Sequence, residues 1–217
     1  MIVALDGPAG VGKSTIASKL AEKAGFFYLN SGNFYRAVTL SALNNGIDAE
    51  DPDAIVRNSK TIDIEIIDGL IHTDKINVDE DLHTDKIDRW VAQHSAIVEV
   101  REIVNAALRK TALNLDLVAE GRDMSTVVFP HAEIKYYMDA SIEIRAKRRF
   151  DQGTSSQTFE ELVESIRQRD YIDKNKPVGS LKIANDAIYL DTSDLTIDEV
   201  CAKVLDKIQE RKIGFRR

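Results

Sequence analysis

The segment Gly7-Pro8-Ala9-Gly10-Val11-Gly12-Lys13-Ser14 constrains this chain more than any other part of it, because it fits G-x-x-x-x-G-K-[ST]. That pattern has structural meaning only when a strand feeds it and a helix follows. Both flanks are present. Ile2 to Leu5 is a short apolar run that reads as a buried parallel strand. After Lys13, the residues Ile16, Ala17, Leu20 and Ala24 recur at helical spacing until Gly25 stops them. Glycines let the backbone curl with its N–H groups turned inward, and the helix brings its positive end to the same point. The loop therefore predicts a nucleoside-triphosphate site. Lys13 is placed to reach the β- and γ-phosphates, and Ser14 to offer its hydroxyl oxygen to Mg²⁺. The motif does not say where the phosphate goes.

The rest of the chain continues the alternation. Phe26 to Leu29 reads as a second strand and Phe34 to Leu43 as a helix. Further buried strands are expected at Leu115 to Glu120, Glu133 to Met138 and Ala187 to Leu190. Helices are expected near 85–96 and 98–114, over Ile142 to Phe150, Phe159 to Asp173, and Thr196 to about Arg211. Strands separated by helices predict a parallel sheet with helices on both faces. One stretch departs from this. Ile62 to Ile67 alternates apolar and acidic residues, Asp68-Gly69 follows, and a second extended run covers Leu70 to Val78. Asp-Gly between such runs signals an antiparallel hairpin. Residues 60–85 are accordingly expected to form a small insert within one domain covering 1–217.

Composition narrows the function classes. The formal charge is −7, from 29 basic and 36 acidic residues, which disfavours non-specific nucleic-acid binding. Hydrophobic residues make up 43%, yet no apolar run approaches the roughly 20 residues of a membrane span. Asp6 and Gly7 interrupt the N-terminal apolar run almost at once, against a signal peptide, so a cytoplasmic location is expected. Cys201 is the single cysteine and reads as a small buried hydrophobe. His72, His83, His94 and His131 lack metal-ligand spacing. An acidic chain that handles polyanions must concentrate its arginines locally. Arg145, Arg148, Arg149, Arg167, Arg169, Lys174 and Lys176 do cluster, on either side of the polar stretch 153–157. A solvated charged helix is the competing explanation. Lys174 to Asn185, with Pro177 and Gly179, reads as a mobile loop, so residues 150–185 are expected to act as a lid.

Two other constellations bear on the acceptor. Asn30-Ser31-Gly32-Asn33-Phe34-Tyr35-Arg36 ends the second strand, where ligands of open α/β sheets sit. Ser31 and Arg36 could offer a hydroxyl and a phosphate clamp there, although a capped helix with a surface arginine fits equally. Glu120-Gly121-Arg122-Asp123 ends a later strand, as a phosphate and sugar contact or as a structural ion pair.

These stretches together resemble bacterial cytidylate kinases over nearly the whole chain. The resemblance is carried by Leu5 to Thr15, Asn30 to Arg36, Glu120 to Pro130, Met138 to Ser141 with the basic run after it, and Gln168 to Lys176. It implies a P-loop nucleoside-monophosphate kinase fold with a five-stranded parallel sheet, a monophosphate-binding insert and a lid. It implies transfer of the γ-phosphate of ATP to CMP or dCMP, with Mg²⁺, in a monomer. The ATP set would be Gly7, Pro8, Ala9, Gly10, Val11, Gly12, Lys13, Ser14 and Thr15. Ser31 resembles the cytosine contact, Arg36, Arg101 and Arg169 the acceptor-phosphate arginines, with Arg122 beside them. Asp123 resembles the sugar contact and Arg148 a lid-side arginine near ATP. Lys13, Arg148 and Arg169 would serve catalysis. Departures from the usual pattern are Asn30 for Asp, Glu120 and Ser125 in the Gly-Arg-Asp-Met stretch, Ala92 for a base-contacting serine, and Ile172 and Lys176 for lid arginines. UMP, AMP or shikimate are the competing acceptors. A GTP switch would need Asn-Lys-x-Asp, and Asn175-Lys176-Pro177-Val178 lacks the acid.

Overall fold

A strand that is apolar at successive positions survives only if both its faces are covered. In the structure, a computed structural model describing residues 1–153 and 157–214, β1 (Ile2–Asp6) has Val3, Ala4 and Leu5 fully buried. It is the central strand of a five-stranded sheet. β2 (Phe27–Asn30), β6 (Leu117–Gly121), β7 (Ile134–Asp139) and β8 (Ile188–Asp191) complete it in the order β2-β6-β1-β7-β8. β1 pairs in parallel with β6 and β7, and β7 with β8. Pairing Asp6 with Gly121 brings the ends of β1 and β6 level, and the glycine loop begins there, while β7 runs two residues past Tyr137, the partner of Asp6. Helices α1 (Lys13–Ala24) and α8 (Ile197–Gly214) pack onto the sheet. Ile16, Leu20, Val200, Val204 and Ile208 join Val3, Leu5, Val118, Ile134 and Met138 in one core. Cys201 belongs to that core and is fully buried.

The chain divides into two compact units. The first, Met1–Leu29 with Leu115–Asn175 and Ser180–Arg217, holds the parallel sheet, α1, α6 (Ile142–Asp151), α7 (Phe159–Asn175) and α8. The second, Asn30–Asn114 with Lys176–Gly179, holds α2 (Ser31–Asn44), α3 (Pro52–Ser59), α4 (Asp85–His94), α5 (Val98–Thr111) and a three-stranded sheet. That sheet is antiparallel, with β3 (Ile64–Ile67) beside β4 (Leu70–Thr73) and β4 beside β5 (Ile76–Asn77). Asp68 (φ 52) and Gly69 (φ 82) make the expected tight turn between β3 and β4. The single extended run expected over Leu70 to Val78 is instead two strands. Asp74 (φ 51) and Lys75 (φ 67) take left-handed backbone and fold the run back on itself.

Helix ends follow local chemistry. Asn30 accepts a hydrogen bond from the Gly32 N–H at 2.9 Å, so α2 starts at Ser31, ahead of the expected Phe34. α3 was not apparent from periodicity, although its start is marked: the Asp51 carboxylate accepts from the Ala54 N–H at 3.0 Å and Pro52 occupies the first turn. The polar stretch at 154–156 and the terminal Arg216 and Arg217 lie outside the described residues. Among the described residues, no helix is long and apolar enough to cross a membrane.

Candidate active site

In the first unit, the glycine loop has the conformation its composition calls for. Gly10 (φ 78) and Gly12 (φ 94) are left-handed, and a Cβ on Gly10 would stand 3.2 Å from the Arg145 Cβ. Lys13 folds back over the loop and donates from Nζ to the Pro8 carbonyl at 2.8 Å. Two arginines of α6 hold the loop from outside. Arg145 Nη1 donates to the Ala9 carbonyl at 3.0 Å, and Arg148 Nη1 to the Val11 carbonyl at 3.2 Å. Arg148 also donates to the carbonyl of Thr192 at 2.6 Å. Arg145 is therefore no solvated lid cation. It is buried, bonded to the Ala140 carbonyl at 3.0 Å and gripped by Asp170 of α7 at 2.6 and 3.1 Å.

Lys13 is 5% exposed. Burial, with the Arg122 charge nearby, lowers its pKa from 10.5 to about 7, although Glu120, Asp173 and Asp6 oppose the shift. Arg122 is half-buried, its side chain 19% exposed. Burial disfavours its charge, yet Asp173, which accepts from its Nε at 2.6 Å, and Glu120 and Asp170 together raise its pKa. Asp173 also lies 4.0 Å from Arg169 Nε, one helical turn earlier on α7. The charge of Arg122 thus acts on Lys13 at the glycine loop, with Glu120, Asp173 and Asp6 opposing it. The repulsion between the two cations is what a bound polyphosphate would relieve.

Asp6 closes the floor of this arrangement. Its carboxylate accepts from the Met124 N–H at 2.7 Å, the Ser125 N–H at 2.8 Å and the Ser125 hydroxyl. Burial raises its pKa against those bonds. Met124–Val128 is a π-helical turn, and Asp123, buried at its start, accepts through its carbonyl from the N–H groups of Val127 and Val128 at 2.9 and 3.1 Å. The turn fixes the residue expected to meet the sugar. Tyr28 donates to Glu120 at 2.8 Å.

Mg²⁺ binds through few protein ligands and keeps bonds to water and substrate phosphates. Ser14 is exposed in the first turn of α1, next to the buried Lys13, which fits such a role. Thr15 is exposed beside it.

In the second unit, Ser31 is buried in the first turn of α2. Arg36 donates from Nη1 to the Leu82 carbonyl at 2.9 Å and from Nη2 to Asp88 at 2.5 Å. His83, beside this pair, is held below its ordinary pKa by burial and by the Arg36 charge. Arg101 is 1% exposed; its Nη1 donates to the Ser95 carbonyl at 2.9 Å, and its guanidinium lies 5.3 Å from the centre of the Tyr35 ring. Gly179 (φ 64) packs so closely on that guanidinium that an added Cβ would occupy its place. Ala92 is buried on α4. His94 is tied into the fold by Thr39 at 3.0 Å and the Ala49 carbonyl at 3.1 Å.

A family model described as cytidylate kinase matches residues 3–210. The chain belongs to the cytidylate kinase family. It is 40% identical over 215 residues to a cytidylate kinase of Caldanaerobacter subterraneus subsp. tengcongensis, covering 98% of this chain and 96% of that one. It is 42% identical over 217 residues to a cytidylate kinase of Protochlamydia amoebophila, covering 95% of each. Among solved structures, a shikimate kinase from Bacteroides thetaiotaomicron superposes with a TM-score of 0.51 at 11% identity, over 96% of this chain and 98% of that one. A shikimate kinase from Acinetobacter baumannii in complex with shikimate gives 0.50 at 17%, over 97% and 94%. At such identities the likeness concerns the fold, which is that of P-loop kinases.

Within this cytidylate kinase family member, sequence reasoning missed Asp6, Asp170 and Asp173. A signal existed for the last two: acids alternate with the cations of Arg169 to Lys176, at helical spacing. Nothing local marked Asp6, which depends on a turn more than a hundred residues away.

Proposed function

We propose that this member of the cytidylate kinase family transfers the γ-phosphate of ATP to CMP or dCMP, giving ADP and CDP or dCDP. The observation that supports the reading is the buried Lys13 ammonium at the glycine loop, its charge disfavoured first by burial and then by nearby Arg122. A buried ammonium of this kind is costly without a polyanion and is stabilised by one.

In this reading the backbone of residues 7–15 cradles the ATP phosphates, and Lys13 neutralises the β- and γ-oxygens. Ser14 would hold Mg²⁺, which would supply neutralisation of phosphate charge. An oxygen of the acceptor phosphate attacks the γ-phosphorus, the bond to the ADP oxygen breaks, and the electron pair leaves with ADP. No covalent enzyme intermediate is needed, so the protein's work is alignment and charge neutralisation. Arg148 and Arg169 meet the charge spread over the transferred group. Arg36, Arg101 and Arg122 hold the acceptor phosphate, Ser31 the cytosine and Asp123 the sugar hydroxyls. Residues 60–85 serve the monophosphate and residues 150–185 close over the nucleotides, excluding water that would otherwise accept the phosphate. The protein acts in the cytoplasm as a monomer.

ADP release with ATP and Mg²⁺ against CMP, dCMP, UMP, AMP, dTMP, shikimate and no acceptor tests this. CMP and dCMP should lead by about tenfold or more. Turnover confined to another acceptor would refute the reading.

A further inference from the structure

Arg36 is held by groups of the second unit. Leu82, at the end of the 3-10 turn Asp79–Leu82, accepts from Nη1 at 2.9 Å, and Asp88, on α4, accepts from Nη2 at 2.5 Å. The arginine side chain is 14% exposed and the aspartate 29%. A guanidinium held on both terminal nitrogens has one orientation, and its remaining N–H groups are left to point elsewhere. An arginine loses rotamer freedom when it grips a phosphate, and one already held loses less. Leu82 is fully buried, so the carbonyl next to it is anchored by the core. Asp88 is the adjustable half of the arrangement.

We propose that Asp88 is a positioning residue for the acceptor phosphate, holding the Arg36 guanidinium in its binding orientation against the Leu82 carbonyl. This rests on the reading that Arg36 grips the acceptor phosphate. The alternative role for a carboxylate in this place is the opposite one, a resident anion that competes with the phosphate. The two differ in sign. A positioning carboxylate lowers the KM for CMP, and a competing one raises it.

The test is steady-state kinetics with CMP varied at saturating ATP, for Asp88→Ala, Asp88→Asn, Arg36→Ala and the Asp88→Ala/Arg36→Ala pair. Asp88→Ala should raise the CMP KM about tenfold, the scale of one charge-assisted hydrogen bond, with kcat and the ATP KM within about twofold. Asp88→Asn should recover most of that loss, because its amide oxygen still accepts from Nη2. A purely structural effect would not be rescued in this way and would move the ATP KM. In the Arg36→Ala background, Asp88→Ala should add nothing. The proposal is overturned if Asp88→Ala leaves the CMP KM unchanged or lowers it while Arg36→Ala raises it. It is also overturned if the effect persists without Arg36. If Arg36→Ala itself leaves the CMP KM unchanged, the phosphate-clamp reading fails first and takes this proposal with it.

Discussion

Nucleotide binding should draw a proton onto Lys13. The buried side chain has its pKa lowered from 10.5 to about 7, mainly by burial and then by Arg122. A polyphosphate beside it would restore the ordinary value, so the bound state holds a proton that the empty protein has partly lost. With a pKa near 7 in the empty state, apparent ATP affinity should weaken about tenfold for each pH unit above 8. The terminal phosphate of the nucleotide has its own second pKa near 6, so its titration is over before that window opens. Calorimetry of Mg²⁺-ATP binding, without acceptor, in buffers of different ionisation enthalpy counts the proton directly. Uptake should be about half a proton at pH 7 and nearly one at pH 8.5. Lys13→Ala should bind more weakly and show neither uptake nor the slope. The empty protein gives an independent sign. A lysine whose folded pKa lies below its unfolded value makes the protein more stable as pH rises from about 7 toward 10.5, while ATP affinity falls over the same range. A flat affinity profile between pH 7.5 and 9.5, with no proton uptake, would refute the argument.

Asp170→Ala should leave the Arg145 guanidinium buried and uncompensated, since the two side chains are 9% and 4% exposed. A loss of about 3–5 kcal/mol in urea unfolding is expected, and less than about 1 kcal/mol would show that the pair is not what ties α7 to the glycine loop. Gly179→Ala must place a side chain where the Arg101 guanidinium lies, at φ 64, whereas Gly46→Ala at φ 67 meets nothing within 4 Å. Gly46→Ala should lose about 1–2 kcal/mol of stability and Gly179→Ala more, and only the change at Gly179 should raise the CMP KM several-fold; equal kinetics for the two would count against a role for Arg101. Ala92→Ser adds the hydroxyl that the family pattern carries there, and the CMP to UMP preference in kcat/KM should rise by about tenfold. An unchanged ratio would mean base selection resides elsewhere.

The order of the five core strands, the glycine loop and the hairpin turn were legible in the residues, because each rests on local chemistry, whereas α3 and the break between β4 and β5 were not. A run of four apolar residues, a glycine able to take φ 94, or an Asp-Gly turn carries its structural consequence within a few neighbours. Lys13 and Ser14 likewise stand in a motif of fixed spacing, whereas Arg148 was singled out only by resemblance. What no window of sequence contained were the partners. Whether Arg145 meets a nucleotide or a carboxylate depends on Asp170, twenty-five residues on, and Arg122 depends on Asp173, fifty-one residues on. Composition shows seven cations clustered near the lid, and only packing separates buried Arg145 from surface Arg167, which pairs with Glu164 at 2.9 Å. The same holds for Lys13, whose lowered pKa comes from depth and from the charge of Arg122, just past β6. Local conformation follows from side-chain sterics and capping, which act over a turn or two. Charge state, burial and the pairing of distant ions follow from which elements the sheet brings level, and that was decided by the tertiary structure.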